Sequence, residues 1–193
     1  MICVYISRYP FDLENKEIYP EQRAKEIADT RNPSHKEQKY YVWKLLERAV
    51  SDRFGKKLSD FTFIRSENGR WECDGFYFSL SHTDGVVSVA VSDSPCGVDT
   101  ERFELKRFNG KLAKKILNET EYSEYTALRV SDREEFLIRK WTEKESIFKM
   151  LSENVFIPNN IDTKKYCCGN RFVYDSCTSC SHGEQEEIEY IIM

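Results

Sequence analysis

Apolar positions recur along this chain with two different periods. The run Met1-Ile2-Cys3-Val4-Tyr5-Ile6 predicts a buried strand over residues 1–9. Residues 20–54 change period and read as helical. There Tyr40, Tyr41, Trp43, Leu45, Leu46, Ala49 and Val50 recur every three to four positions, and Gly55 stands where a helix would stop. Short strands are expected at 61–64, 76–80 and 86–91, punctuated by the turn signals Asn68-Gly69 and Thr83-Asp84-Gly85. Gly97-Val98-Asp99 is expected to continue that sheet after the Asp93-Ser94-Pro95 turn. The second half predicts helices near 108–117, 119–128 and 133–151, ended by Pro158, then short strands with polar turns to residue 193. Helices and strands fall in both halves, with no internal sequence repeat and no low-complexity linker. The class expected is α+β.

Composition narrows this picture. Hydrophobic residues make up 40% of the 193 and aromatics 13%, enough for a real core and against global disorder. A net charge of -4 argues against a general nucleic-acid binder. The charge is uneven, however. From Arg23 to Lys57 there are ten Lys or Arg against five Asp or Glu, a local net of +5, so a small polyanion could still be received. No stretch approaches the ~18 apolar residues of a membrane span. The apolar N-terminus is too short for a signal h-region, and no basic residues precede it. With seven cysteines and no signal peptide, a reduced, cytoplasmic setting is expected.

Two segments carry candidate chemistry. On a strand, positions i and i+2 share a face, so Asp99 and Glu101 point the same way. On a helix, i and i+4 share a face, so Glu145 and Lys149 point together, with Trp141 one turn earlier. Taken singly, each has an ordinary reading. The first is an exposed strand end. The second is a surface ion pair worth about 0.3–0.5 kcal/mol. His82 alone reads as structural, and Ser81 lacks the G-x-S-x-G surroundings of a hydrolase nucleophile. Taken together they supply three carboxylates, a histidine and a lysine. Magnesium prefers a few carboxylates plus substrate phosphates to an all-protein cage. The set therefore suits a magnesium-pyrophosphate site.

Four motifs in order then carry a resemblance. They are Asn68-Gly69-Arg70; Phe78-Ser79-Leu80-Ser81-His82-Thr83-Asp84-Gly85; Gly97-Val98-Asp99-Thr100-Glu101; and Trp141-Thr142-Glu143-Lys144-Glu145-Ser146-Ile147-Phe148-Lys149. Ile116-Leu117-Asn118-Glu119-Thr120-Glu121-Tyr122 falls between the last two. Over about residues 1–160 the chain resembles a 4'-phosphopantetheinyl transferase of the Sfp type. The resemblance implies two similar α+β halves in one chain, related by a pseudo-twofold axis, with the site between them. The expected division is 1–101, holding coenzyme A and the first carboxylates, and 102–193, holding the W-x-x-K-E-x-x-x-K helix.

The implied activity is Mg²⁺-dependent transfer of the 4'-phosphopantetheine arm of coenzyme A to a serine of an apo acyl or peptidyl carrier protein. Adenosine 3',5'-bisphosphate is released. By carry-over, Asp99, Glu101 and Glu145 bind the metal. Glu145 is also the general base, Lys149 stabilises charge on the leaving phosphate, and His82 contacts the pyrophosphate. Ser81 and Thr83 lie near the nucleotide. Arg31, Lys36 and Lys39 are the candidate phosphate cations, with Arg23 and His35 behind them, and Arg70 keeps the charge of the family's G-K-P-like turn although Trp71 replaces its proline. Thr100 is expected to point away from the metal. A monomer is the default, with neither nucleic acid nor membrane as partner. The alternatives are a catalytically silent module binding coenzyme A or a carrier domain, and a metal-dependent phosphohydrolase. In the tail, Cys167-Cys168 and Cys177-Thr178-Ser179-Cys180 with His182 hint at zinc, but the adjacent pair has poor geometry for it and ordinary reduced cysteines are favoured.

Overall fold

The computed structural model describes all residues of the chain except 14, 68, 105–107 and 184–185, so Asn68 of the expected turn lies outside the described residues. The chain opens with β1 (Ile2–Arg8) and helices α1 (Glu21–Ala28) and α2 (Pro33–Phe54). The single helical stretch expected over 20–54 is thus two helices. Proline forces the break: Pro33 sits in the first turn of α2, and the Asn32 side chain accepts the His35 N–H as the cap. Gly55, left-handed at φ 64, ends α2 where the sequence places its stop. A small ribbon follows, β2 (Phe63–Arg65) against β3 (Trp71–Cys73), and then β4 (Tyr77–Thr83) and β5 (Val86–Ser92). After β6 (Cys96–Arg102) come α3 (Gly110–Ile116), α4 (Glu119–Ala127) and α5 (Arg133–Leu151). The chain finishes with β7 (Cys167–Val173), β8 (Ser176–His182) and β9 (Ile188–Ile192).

Two sheets organise the molecule. The first runs β4-β5-β1-β9 and the second β6-β8-β7. The apolar face of α2, with Trp43, Leu46 and Val50, packs on Val87, Val89 and Val91 of the first sheet. Ile2, Val4 and Ile6 face the other way, onto Val98 and Cys180 of the second sheet, so one core joins both. A division after Glu101 crosses this arrangement twice, because β6 already belongs to the second sheet and β9 returns to pair in parallel with β1.

One expectation is corrected here. β6 does not continue the sheet of β4 and β5; it pairs antiparallel with β8, Asp99 opposite Ser179. Its link to β4 runs through side chains: the Ser79 hydroxyl accepts from Val98 N–H at 3.0 Å and the Ser81 hydroxyl from Thr100 N–H at 3.1 Å. The strand that fills the second sheet, Ser-Cys-Thr-Ser-Cys-Ser-His, is buried at all seven positions. Its hydroxyls are satisfied by neighbours, Thr178 by Thr100 and Ser179 by Thr142 and Asn170, which is what lets so polar a strand lie inside.

Candidate active site

The site forms where α5 lies across β6. Gly97 permits the approach: a Cβ there would stand 1.9 Å from the Ser146 carbonyl oxygen of α5. Hydroxyl contacts pin the helix to β8, Thr142 to Ser179 at 2.6 Å and Ser146 to Ser181 at 2.5 Å. Lys144, fully buried, fixes the helix from its other side. It pairs with Glu121 of α4 at 2.7 Å and donates to the carbonyls of Pro158 and Ile161. The role of Lys144, which the motif alone left open, is to anchor α5.

So held, α5 delivers Glu145 and Lys149 to β6. The Lys149 ammonium donates to Asp99 Oδ1 at 2.7 Å, to Ser81 Oγ at 3.1 Å and to the Val98 carbonyl at 3.1 Å. Ser81 also donates to Asp99 Oδ1 at 2.9 Å. Asp99 Oδ2 is buried with no hydrogen-bond partner. The Trp141 indole donates to Glu101 Oε1 at 3.1 Å, which fixes the second carboxylate. Thr100 points elsewhere, its hydroxyl bonded to Ser88 and Thr178. Burial, then the negative charge of Asp99 and that of Glu101, push the Glu145 carboxyl up to about 8, with Lys149 opposing. A carboxyl so placed among carboxylates is short of positive charge.

Among the described residues, no three His, Cys, Asp or Glu side chains stand as a ready-made metal cage, and this covers the cysteine-rich tail as well as the three carboxylates. Asp99 Oδ1 and Glu101 Oε1 are engaged by Lys149 and Trp141 instead. The donor chemistry nevertheless fits a hard cation. There is one orphaned buried carboxylate oxygen, there are hard oxygen ligands only, and there is a third carboxyl that would ionise once a cation neutralised its neighbours.

His82 follows Ser81 on β4. Desolvation, then the positive charges of Lys149, His35 and Arg23, lower its imidazole to about 4, although part of the ring reaches solvent. It is therefore neutral at pH 7. The same charges show that α1 and α2 bring their basic residues to this end of β4. Thr83 is half-buried at the end of β4. The individual cations differ in what they are free to do. Lys36 donates to the Ala28 carbonyl, Lys39 to Thr30 and the Glu26 carboxylate, and Arg31 is exposed between the two helices. Arg70 reaches into the other half of the molecule, donating to the carbonyls of Lys149 (2.5 Å) and Phe148 (3.3 Å) and to Ser152 Oγ. It caps the C-terminal end of α5. Beside it opens a cleft of about 670 Å³ whose walls include Trp71, Phe78, Leu80, Phe148 and Lys149, so it shares Lys149 with the carboxylates. Sequence reasoning missed Glu26 and Arg65, which meet Trp71 at the edge of this cleft; their positions in helix and strand carry no motif.

Residues 95–176, from the turn before β6 to the start of β8, match the family model of the 4'-phosphopantetheinyl transferase superfamily. That stretch carries Asp99, Glu101, Glu145 and Lys149, and the resemblance read from the motifs is borne out. Among curated proteins the chain is similar to the 4'-phosphopantetheinyl transferase gsp of Aneurinibacillus migulanus, 30% identical over 99 residues, which is 51% of this chain and 41% of that protein. It is also similar to the 4'-phosphopantetheinyl transferase psf-1 of Bacillus pumilus, 24% identical over 114 residues, 58% of this chain and 48% of the relative. The matched stretches span less than half the length of either relative.

Proposed function

We propose that this chain transfers the 4'-phosphopantetheine arm of coenzyme A to a serine hydroxyl of an apo acyl or peptidyl carrier protein, with adenosine 3',5'-bisphosphate as the second product. The observation that carries the reading is the meeting of Asp99 on β6 with Glu145 and Lys149 on α5, within the segment that matches the superfamily.

Asp99, Glu101 and Glu145 would hold Mg²⁺, which when bound supplies positive charge to the carboxylates and to the pyrophosphate of coenzyme A. The residues then divide the work. Glu145, ionised in that state, accepts the proton of the carrier serine, directly or through a water. The serine oxygen attacks the phosphorus that bears the pantetheine arm, and the pyrophosphate bridge to the nucleotide breaks. Lys149, held on three sides by Asp99, Ser81 and Val98, neutralises charge on the leaving phosphate. His82 donates an N–H to a phosphate oxygen. Ser81 acts through Asp99 and Lys149, whose positions its hydroxyl fixes. The aromatic cleft beside Lys149 has the volume and lining to take the nucleotide.

The halves of the molecule share one design, a long helix on a sheet: α2 on the mixed sheet β4-β5-β1-β9 and α5 on the antiparallel sheet β6-β8-β7. This supports the pseudo-twofold relation, with the division near residue 101. A monomer supplies every residue named.

The test is a panel of apo carrier proteins incubated with coenzyme A and Mg²⁺ and read by intact mass. Addition of one phosphopantetheine arm is expected, lost with EDTA. Coenzyme A binding without transfer to any carrier would favour the silent-module reading, and hydrolysis of coenzyme A without an acceptor would favour a phosphohydrolase.

A further inference from the structure

Of three consecutive apolar residues after α5, only the middle one is turned inward. Val155 and Ile157 are exposed, at 67% and 46%, whereas Phe156 is half-buried. Ser152, left-handed at φ 55, ends α5 and turns the chain back along it. The returning segment is held at its far end by Lys144, whose ammonium donates to the Pro158 and Ile161 carbonyls. Phe156 thereby packs on two rings of α5, edge-on to Trp141 with centres 5.6 Å apart and tilted on Phe148 with centres 5.0 Å apart. The helix rises about 10 Å between those two residues. A ring touching both therefore lies at the level of the turn between them, the turn that carries Glu145. Helical spacing puts Trp141 and Phe148 on one flank of Glu145 and Lys149 on the other. The aromatic row is tied at both ends. The Trp141 indole donates to Glu101, and the Arg70 guanidinium lies 5.2 Å from the Phe148 ring centre.

A base that takes a proton from a serine hydroxyl can also take one from water, and water far outnumbers any carrier. The competing step is complete in itself. A water oxygen bonds to the phosphorus that bears the pantetheine arm, and Glu145 takes the water proton. The P–O bond to the bridging oxygen breaks, and 4'-phosphopantetheine and adenosine 3',5'-bisphosphate leave. Apolar cover suppresses a side reaction of this kind by keeping bulk water from the reacting groups. We propose that Phe156 is a specificity-determining residue: its ring, spanning Trp141 and Phe148, closes the flank of Glu145 away from Lys149 to bulk water, so that the carrier serine is selected over water as acceptor. The inference rests on the transfer reading above. Phe156 touches no reacting atom in this role; it sets which nucleophile reaches them. Lys144 shares in it, because the carbonyls it holds belong to the segment that carries the ring.

The test reads a partition between two products. The full chain is incubated with coenzyme A, Mg²⁺ and an apo carrier protein, and mass spectrometry measures the modified carrier and free 4'-phosphopantetheine. Phe156→Ala should raise the ratio of hydrolysis to transfer about tenfold, because the apolar cover is removed. Phe156→Leu, a smaller apolar cover, should raise it about threefold, and it decides the matter if the Ala variant does not fold. A protein that is merely looser makes less of both products and leaves their ratio unchanged. An unchanged ratio in the folded Ala variant, or in the Leu variant where only that one folds, would overturn the proposal. Loss of both products in a variant with the unmodified melting temperature would overturn it too. If the unmodified protein transfers the arm while these variants leave the ratio as it was, this inference alone fails. If the unmodified protein transfers the arm to no carrier, the transfer reading fails and takes this inference with it.

Discussion

At the scale of single residues, Glu145 is where charge and stability are set against each other. Its folded-state pKa of about 8 lies above the ordinary 4.5. The folded protein therefore holds that proton more tightly than the unfolded chain does. The associated stabilisation is complete below pH 4.5 and is lost as pH rises through 8. Metal-free protein should accordingly lose thermal stability between about pH 5 and pH 8.5, and Mg²⁺ should restore it. Glu145→Gln should flatten that part of the profile, raise the metal-free melting temperature at pH 8 and abolish transfer. A Gln variant with the unmodified profile in differential scanning fluorimetry would refute the assignment. Asp99→Ala should also abolish transfer, for it removes both the orphaned oxygen and the partner of Lys149. Arg70 gives a contrasting expectation. Because its guanidinium caps α5, Arg70→Ala should lower kcat through a loosened Lys149 more than it raises KM for coenzyme A, a split that steady-state kinetics reads directly.

At the scale of elements, the seating of α5 decides whether the site exists. Gly97→Ala would drive a methyl group into the Ser146 carbonyl. It should cost about 3 kcal/mol, a melting-temperature fall of roughly 6–12 °C, with transfer lost because Glu145 moves with the helix. Lys144 works from the opposite side. Lys144→Met leaves the Glu121 carboxylate buried without its partner and should destabilise by about 3–5 kcal/mol in urea unfolding. Adding Glu121→Gln should recover part of that loss, a coupling that two independent sites would lack.

Across the whole molecule, β9 closes the structure. It pairs in parallel with β1, and Tyr190 and Ile188 lie so close to β7 that a Cβ on Gly169 would stand 2.9 and 2.8 Å from them. Deleting residues 187–193 should uncover the core between the sheets. It should cost about 3 kcal/mol or more, a fall of roughly 6–12 °C, seen as a lower melting temperature or aggregation. Transfer by the shortened protein at undiminished stability would show that the halves do not depend on this strand.

The sequence by itself determined much of this protein. The period of α2 and its Gly55 stop, the strand face shared by Asp99 and Glu101, and the helix face shared by Trp141, Glu145 and Lys149 are all local, set by backbone geometry over a few residues. The order of the motifs then pointed to the family. What only the tertiary structure decided depends on partners far apart along the chain. β6 joins β8, some 80 residues away, rather than its sequence neighbour β5. β8 lies buried although it is polar, because α5 and β6 satisfy its hydroxyls. Arg70, an expected phosphate ligand, is turned toward the end of α5, and Glu26, an unremarked helical acid, gathers three cations. Hydrogen bonding and charge pairing act through space, and no spacing along the chain records which distant group will satisfy a buried one.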